Sequence, residues 1–271
     1  MENLYYIIID LDGTLLWDFN SIDEETFEYL RYLKSLGHKI SIATGRPLRS
    51  SKFVYDQIGL NTPIINYNGA LVSNPTTNKI YVDLKINKDS IIQIYEFIKP
   101  HLINLFCEVY DDIYLHNKTD EIIPFLHIEG SRLFTGNIKE ILNTNPHSGI
   151  FFVEEQYVNT LISYVETNFS KTLHARYWGP GKYHVVEVYD KSVDKGNALN
   201  VILNEYNIST GNIIAIGDAY NDLGLLSKVG ISVGMKNASE DVLSKVKYIT
   251  DSNTNQGVLK FLKQFFENKN F

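Results

Sequence analysis

Cysteine is nearly absent from this chain, because Cys107 is the only one among 271 residues. An intrachain disulfide framework is therefore excluded, and we expect a reducing, cytoplasmic environment. Long apolar runs are missing as well, since none reaches the roughly 18 residues that a membrane-spanning helix needs. The apolar run nearest the N-terminus is short and ends at Asp10, which does not fit a cleavable signal. We therefore expect no membrane partner.

Basic runs and metal-binding histidine patterns are also missing. Lys and Arg number 25 against 32 Asp and Glu, which gives a formal net charge of −7 without a basic stripe. Nucleic acid is therefore not an expected partner. The seven histidines are scattered without metal-ligand spacing, and no G-x-x-x-x-G-K phosphate loop occurs. The sequence thus indicates neither a histidine-based metal site nor a P-loop nucleotide site.

What the chain does contain is a pair of carboxylates directly behind a predicted strand. The apolar residues 5–9 predict a buried strand, and Asp10 and Asp12 follow it in the pattern D-x-D-G-T. Two carboxylates on the same side of an extended chain repel each other unless a cation is near. The pattern therefore indicates a Mg²⁺ site in which one carboxylate can act as a nucleophile. The alternatives are an acidic turn and an EF-hand loop, although the apolar residues 15–17 do not supply the oxygen ligands of an EF-hand.

Strand and helix patterns alternate at both ends of the chain, whereas the middle is rich in hairpins. Repeated strand–helix–strand units with short links predict an α/β fold with a doubly wound parallel sheet. The hairpin-rich middle predicts a separate α+β domain inserted into that core, and 44% hydrophobic residues suffice for two compact units. We expect the core to comprise residues 1–83 and 190–271. Residues 84–189 would form the inserted α+β domain.

Further polar residues follow the predicted core elements, where open α/β sheets place their active sites. Thr44, Gly45 and Arg46 come after the strand at 39–43, and Asn68 comes after the strand at 64–67. A second group lies in the C-terminal part of the chain: Lys195 begins a predicted helix, and Asp218, Asn221 and Asp222 follow the strand at 213–216.

Each of these residues taken alone has an ordinary structural explanation. Thr44 at a strand end is commonly a cap, Lys195 at a helix start is commonly solvated, and Asp218 and Asn221 fit a capped helix N-terminus. Gly224 is unexpected in the helix pattern that follows, because glycine disfavours helix interiors. The order of all the motifs along the chain is what favours a shared site.

The motif order D-x-D-G-T, A-T-G-R, insertion, D-K-G-x-A-L and G-D-x-x-N-D resembles the haloacid dehalogenase (HAD) superfamily of phosphatases. The long insertion is similar to that of subfamily IIB, the Cof-type sugar-phosphate phosphatases, which implies that residues 84–189 form a cap domain that determines substrate specificity. The resemblance implies Asp10 as a nucleophile that forms an aspartyl phosphate and Asp12 as the general acid and base. It further implies phosphate or substrate binding by Thr44, Gly45, Arg46, Asn68, Lys195 and Asn221. Mg²⁺ binding is implied for Asp10, Asp218 and Asp222 and, through its backbone carbonyl, for Asp12.

The resemblance implies a Mg²⁺-dependent phosphomonoester hydrolase whose substrate is a small phosphorylated metabolite, in the first place a sugar phosphate. Two alternatives stay open from the sequence: a phosphomutase on the same core, and a non-catalytic regulator that binds sugar phosphates. The sequence is compatible with a monomer and with a weak homodimer.

Overall fold

The computed structural model of the chain describes residues 4–120 and 122–267. The chain divides into two compact units. The first unit comprises the described residues of Met1–Arg46, Ser51–Val82 and Asp194–Phe271, and the second comprises those of Pro47–Ser50 and Asp83–Val193. Among the described helices, none combines the length and the hydropathy that crossing a bilayer would require.

The regular elements are numbered along the chain. The strands are β1 Tyr6–Ile9, β2 Lys39–Ile42, β3 Ile64–Asn66, β4 Leu71–Asn74, β5 Lys79–Asp83, β6 Leu102–Val109, β7 Asp112–Leu115, β8 Leu133–Thr135, β9 Ser148–Val153, β10 Leu173–Tyr177, β11 His184–Asp190, β12 Ile213–Gly217, β13 Ile231–Gly234 and β14 Tyr248–Ile249. The helices are α1 Glu24–Ser35, α2 Lys52–Ile58, α3 Lys88–Ile98, α4 Ile123–Leu126, α5 Ile138–Ile141, α6 Val158–Asn168, α7 Lys195–Tyr206, α8 Leu223–Leu226, α9 Glu240–Leu243 and α10 Gly257–Glu267.

The first unit is built on a parallel sheet of five strands in the order β14-β13-β12-β1-β2. Its inner strand β1, between β12 and β2, consists of apolar residues that are all buried, as expected for a strand covered on both faces. A smaller antiparallel sheet, β3-β4-β5, adjoins it through a bridge between Ala43 and Ile65. The parallel α/β core that the sequence predicted is thereby confirmed.

The register of the parallel strands decides where the polar residues emerge. Ile9, the last residue of β1, lies beside Ile42 of β2 and Ile216 of β12. Because parallel strands run in one direction, the residues that follow these three positions lie at the same edge of the sheet. Asp10, Thr44 and Asp218 therefore all leave the sheet at its carboxyl edge.

The second unit is a six-stranded sheet in the order β10-β11-β9-β6-β7-β8. Its strands pair antiparallel except for β7 and β8, which pair parallel. One face packs against α3 and α6 around buried residues such as Leu105, Phe151 and Val186. Cys107 is buried in this core, where it acts as a small apolar side chain.

The four-residue segment Pro47–Ser50 belongs to the second unit although its sequence neighbours belong to the first. Arg49 explains this assignment, since its buried guanidinium forms an ion pair with Glu108 of β6 and its backbone N–H donates to Asp111 at 2.8 Å. In this segment Leu48–Ser50 forms a 3₁₀ turn, and α2 begins at Lys52.

Burial in the parallel sheet can be tested with two isoleucines of that sheet. Ile8 in β1 is fully buried, whereas Ile249 in β14 is 59% exposed. We expect Ile8→Ala to lower the free energy of unfolding by about 2–5 kcal/mol, because it leaves a cavity in a close-packed core. The matched change Ile249→Ala should alter it by less than about 1 kcal/mol. Urea denaturation measures both values, and equal losses would contradict the described burial.

Candidate active site

A buried lysine lies at the centre of the polar residues at the carboxyl edge. Lys195 is the first residue of α7 and its side chain is fully buried. Its Nζ donates to Asp10 Oδ1 at 2.6 Å and to Asp222 Oδ1 at 2.7 Å. A buried ammonium group without access to water is stable only when carboxylates compensate its charge. The two hydrogen bonds of Lys195 therefore hold the start of α7 against the loops that follow β1 and β12.

The loop after β12 folds back on itself through Asp222. Asp222 lies at the end of the 3₁₀ turn Tyr220–Asp222, and its Oδ2 accepts the backbone N–H groups of Asp218 and Ala219 at 3.1 and 3.0 Å. The Asp218 carboxylate in turn accepts a hydrogen bond from the Thr14 hydroxyl at 2.8 Å. In the sequence Thr14 is only the last residue of the D-x-D-G-T pattern, and this contact gives it a place in the site.

Burial raises the pKa values of two carboxylates in this cluster, those of Asp10 and Asp218. It raises the pKa of Asp218 to about 6, against the opposing hydrogen bond from Thr14. Burial also raises the pKa of Asp10 well above its usual range, although Lys195 opposes the effect. Burial lowers the pKa of Lys195, but the carboxylates of Asp10 and Asp222 raise it by more, so the pKa lies above its usual value. The lysine therefore remains an ammonium group.

Three carboxylates of the site lie close together: Asp10, Asp218 and Asp222 each offer an oxygen atom, and these atoms lie within 4.8 Å of one another. When all three are ionised, they exceed the single charge of Lys195 by two. Oxygen donors in this number fit Mg²⁺, which completes its coordination with water and substrate oxygens. The donor set and its charge thus both fit a divalent cation.

The Asp12 carboxylate has a different partner. It is paired with Arg46, whose Nε and Nη2 donate to the two carboxylate oxygens at 2.8 and 2.5 Å. Within the described residues, the carboxylate cluster that could hold a cation consists of Asp10, Asp218 and Asp222. The metal ligand that the resemblance implies at Asp12 is its backbone carbonyl, so the contact of the Asp12 side chain leaves that prediction in place. Arg46, which the resemblance assigns to phosphate or substrate binding, here contacts the Asp12 side chain.

The remaining predicted residues form a hydrogen-bonded chain at the same edge. The buried Thr44 hydroxyl accepts the backbone N–H of Arg46 at 3.1 Å, and the Thr44 carbonyl accepts that of Asn68 at 3.0 Å. The Asn221 amide then donates to the Asn68 side-chain oxygen at 2.7 Å. Gly45 lies against the Asn68 side chain, where an added Cβ would approach it to 3.3 Å. The first unit thus brings together the predicted residues from all four motifs.

Two glycines permit the close approach of neighbouring groups. Gly13 has a φ of +75°, and a Cβ there would lie 2.3 Å from the Asp218 carboxylate. Gly224, which is unexpected in a helix pattern, lies against Asp194, and a Cβ there would come within 2.1 Å of that carboxylate. A side chain at Gly13 would therefore displace Asp218, and one at Gly224 would displace Asp194, which precedes Lys195.

The second unit contains a polar cluster of its own on strands β10 and β11. Glu187 is buried and its Oε2 accepts from Arg176 and, at 3.0 Å, from the indole Nε1 of Trp178. Tyr177 stacks on His184, and their side chains share a hydrogen bond of 2.7 Å. An exposed indole fixed by a buried carboxylate can contact a ligand through its face.

Comparison with known proteins agrees with the arrangement of the core. The sequence profile of the haloacid dehalogenase-like hydrolases matches residues 7–262. The Bacillus subtilis protein YitU, named as a 5-amino-6-(5-phospho-D-ribitylamino)uracil phosphatase, is 33% identical over 266 residues, which cover 97% of this chain and 97% of YitU.

Solved structures show the same fold. A haloacid dehalogenase-like hydrolase from Bacteroides thetaiotaomicron superposes with a TM-score of 0.87 at 23% identity, over 97% of this chain and 100% of the other. TM0651 from Thermotoga maritima superposes with a TM-score of 0.83 at 26% identity, over 97% of each chain.

The compensation of buried charge by Lys195 predicts a large effect on stability. Lys195→Met leaves the carboxylates of Asp10 and Asp222 buried without their cation, and we expect it to lower the free energy of unfolding by about 3–5 kcal/mol in metal-free buffer. Lys228, whose side chain is 43% exposed and lies 3.9 Å from Asp194, is the matched control. Lys228→Met should change stability by less than about 0.5 kcal/mol. Chemical denaturation in EDTA compares the two, and similar values would refute the central role of Lys195.

Proposed function

The chain belongs to the haloacid dehalogenase-like hydrolase family, and from this premise we propose that it is a Mg²⁺-dependent phosphomonoester hydrolase that acts through an aspartyl phosphate. The observation that carries the proposal is the contact of Lys195 with both Asp10 and Asp222 beside a third carboxylate. This arrangement combines a nucleophile, a fixed cation and a place for a divalent cation in one site.

Asp10 would be the nucleophile. Its Oδ1 accepts the hydrogen bond from Lys195, which orients the carboxylate, and Oδ2 has no hydrogen-bond partner among the described residues. One carboxylate oxygen is therefore fixed while the other is able to attack phosphorus. Attack forms the bond from Asp10 to phosphorus as the bond from phosphorus to the leaving oxygen breaks, which divides a difficult hydrolysis into two easier displacements.

Asp12 would be the general acid and base. In the first displacement its protonated carboxyl group gives a proton to the leaving alkoxide, and in the second its carboxylate takes a proton from the water that attacks the aspartyl phosphate. Phosphate and the free Asp10 carboxylate are then released. Asp12 suits this role because its side chain is 54% exposed, so that substrate and water can reach it.

The other residues at the carboxyl edge would bind the phosphate. Lys195 supplies a fixed positive charge next to Asp10, and the buried hydroxyl of Thr44 is able to donate to a phosphate oxygen. Asp10, Asp218 and Asp222 would hold Mg²⁺, the last of them through water, since both Asp222 oxygens already accept hydrogen bonds from protein groups. When bound, Mg²⁺ would offset the negative charge that collects on the transferring phosphoryl group.

A small phosphorylated metabolite is the proposed substrate, and the second unit is the proposed source of specificity. Glu187, Arg176 and Trp178 offer hydrogen bonds and an aromatic face, which suit a sugar or a sugar attached to a planar ring. The name of YitU adds 5-amino-6-(5-phospho-D-ribitylamino)uracil to the sugar phosphates as a candidate. The single cysteine supports a cytoplasmic location for such an enzyme.

The reaction is tested by phosphate release from a panel of sugar phosphates, nucleotides and the ribitylaminouracil phosphate. We expect release with Mg²⁺ and none with EDTA. Asp10→Asn should reduce kcat by at least about 10³-fold while the protein stays folded, because an amide does not replace the carboxylate as a nucleophile. Asp56→Asn, an exposed helical position, is the matched control and should keep full activity. Near-normal turnover by Asp10→Asn would refute the mechanism, and an isomerised sugar phosphate in place of free phosphate would identify a mutase.

Mg²⁺ binding is tested without any substrate. A cation that binds only the folded protein raises its stability by about 2.7 kcal/mol when present at 100 times its Kd. We therefore expect the melting temperature to rise with Mg²⁺ concentration in the wild type and much less in Asp218→Asn, which loses one of the three carboxylates. Asp241→Asn on α9 provides a control with the same change of charge. A melting temperature that does not respond to saturating Mg²⁺ would contradict the site.

A further inference from the structure

The two side chains of the Arg46–Asp12 ion pair differ strongly in solvent exposure. The Arg46 side chain is only 6% exposed, whereas the Asp12 side chain is 54% exposed. The guanidinium fork contacts both carboxylate oxygens, through Nε at 2.8 Å and Nη2 at 2.5 Å. A two-point contact of this kind fixes the orientation of a carboxylate as well as its place. The buried partner therefore determines how the exposed one is held.

The backbone of Arg46 is itself held on both sides. Its N–H donates to the Thr44 hydroxyl, and its carbonyl accepts from the Asn66 amide at 2.8 Å and from the Tyr67 N–H at 3.3 Å. The guanidinium thus extends from a fixed point. These backbone contacts do not fix the conformation of the long Arg46 side chain, which has several rotatable bonds, so other contacts must do so.

Phe19 provides such a contact. The centre of the Arg46 guanidinium lies 3.8 Å from the centroid of the Phe19 ring, within the range of a cation–π interaction. The Phe19 loop is closed by hydrogen bonds at its base, because Asp18 Oδ1 accepts the backbone N–H groups of Asn20 and Ser21 at 3.0 and 2.7 Å. The ring is therefore presented to the guanidinium by a turn of defined shape.

We propose that Phe19 and Arg46 are positioning residues that hold Asp12 in the orientation for proton transfer, an inference that rests on the proposed phosphatase function. Phe19 restricts the guanidinium, and the guanidinium restricts the carboxylate. A carboxylate has about four lone-pair sites, and the Arg46 fork occupies one on each oxygen. The sites that remain, on a half-exposed side chain, are able to carry the proton that Asp12 gives to the leaving oxygen.

The chemistry of the leaving group provides a way to observe this role. As the bond from phosphorus to the leaving oxygen breaks, the electron pair stays on that oxygen and Asp12 supplies its proton. Phenolate is a poor leaving group that needs the proton, whereas p-nitrophenolate is stable as an anion and departs without it. Phenyl phosphate and p-nitrophenyl phosphate differ by a single nitro group. A defect in the position of Asp12 should therefore slow the first ester much more than the second.

The experiment compares Phe19→Leu with the matched control Phe19→Tyr, which keeps an aromatic face. With Mg²⁺ present, we expect Phe19→Leu to lower kcat/KM for phenyl phosphate about tenfold, in keeping with the loss of one cation–π contact. For p-nitrophenyl phosphate the same variant should lose less than about twofold. Phe19→Tyr should match the wild type on both esters, and equal melting temperatures show that the variants fold alike.

A second arm asks whether Phe19 acts through Asp12. In an Asp12→Asn background, the additional change Phe19→Leu should lower kcat/KM for phenyl phosphate no further, because the group to be positioned is already absent. Equal losses on the two esters, an unchanged rate in Phe19→Leu, or a further loss in the double variant would each overturn the positioning role. A wild type that releases phosphate neither from these esters nor from the panel of sugar phosphates, nucleotides and the ribitylaminouracil phosphate would instead refute the proposed function, and this inference with it.

Discussion

The arrangement of the carboxyl edge of the sheet in the first unit depends on one buried charge. The Lys195 ammonium, without access to water, contacts carboxylates that begin in different parts of the chain, Asp10 after β1 and Asp222 after β12. Each of the three groups would be unfavourable in the interior without the others. Their mutual compensation therefore fixes the loops after two adjacent strands relative to the start of α7. The second carboxylate oxygen of Asp222 accepts the backbone N–H of Asp218, which fixes the position of Asp218 as well.

The parallel sheet brings residues that are far apart in sequence close enough to form such a contact. Paired strands that run in one direction end side by side, so the residues after Ile9, Ile42 and Ile216 meet without any further folding of the loops. The remaining distance is closed by residues without side chains: Gly13 allows the first loop to approach Asp218. The backbone thus brings the groups into range, and the lysine gives them a defined arrangement.

Sequence patterns were sufficient for the parts of the molecule that follow local rules. The strand before Asp10 is a continuous apolar run, and the strand before Asp218 is another, so both positions and the parallel core could be predicted. Contacts that depend on one particular long-range neighbour could not. Phe19 lies in a polar loop without periodicity, Arg49 joins the second unit through Glu108, and Gly224 is explained only by its approach to Asp194. These residues have no distinguishing signal in their own surroundings.

The balance of charge at the carboxyl edge places a constraint on any phosphate ligand. Asp10, Asp12, Asp218 and Asp222 bring four negative charges when ionised, and Lys195 and Arg46 bring two positive charges that are already paired with carboxylates. A phosphate dianion that enters this edge would add to an excess of the same sign. Hydrogen bonds from neutral groups such as Thr44 do not reverse that excess, but a divalent cation among three carboxylates would remove it. On the proposed function, substrate binding would therefore be conditional on the metal, and the proposed Mg²⁺ would be needed to bind the phosphate as well as to transfer it.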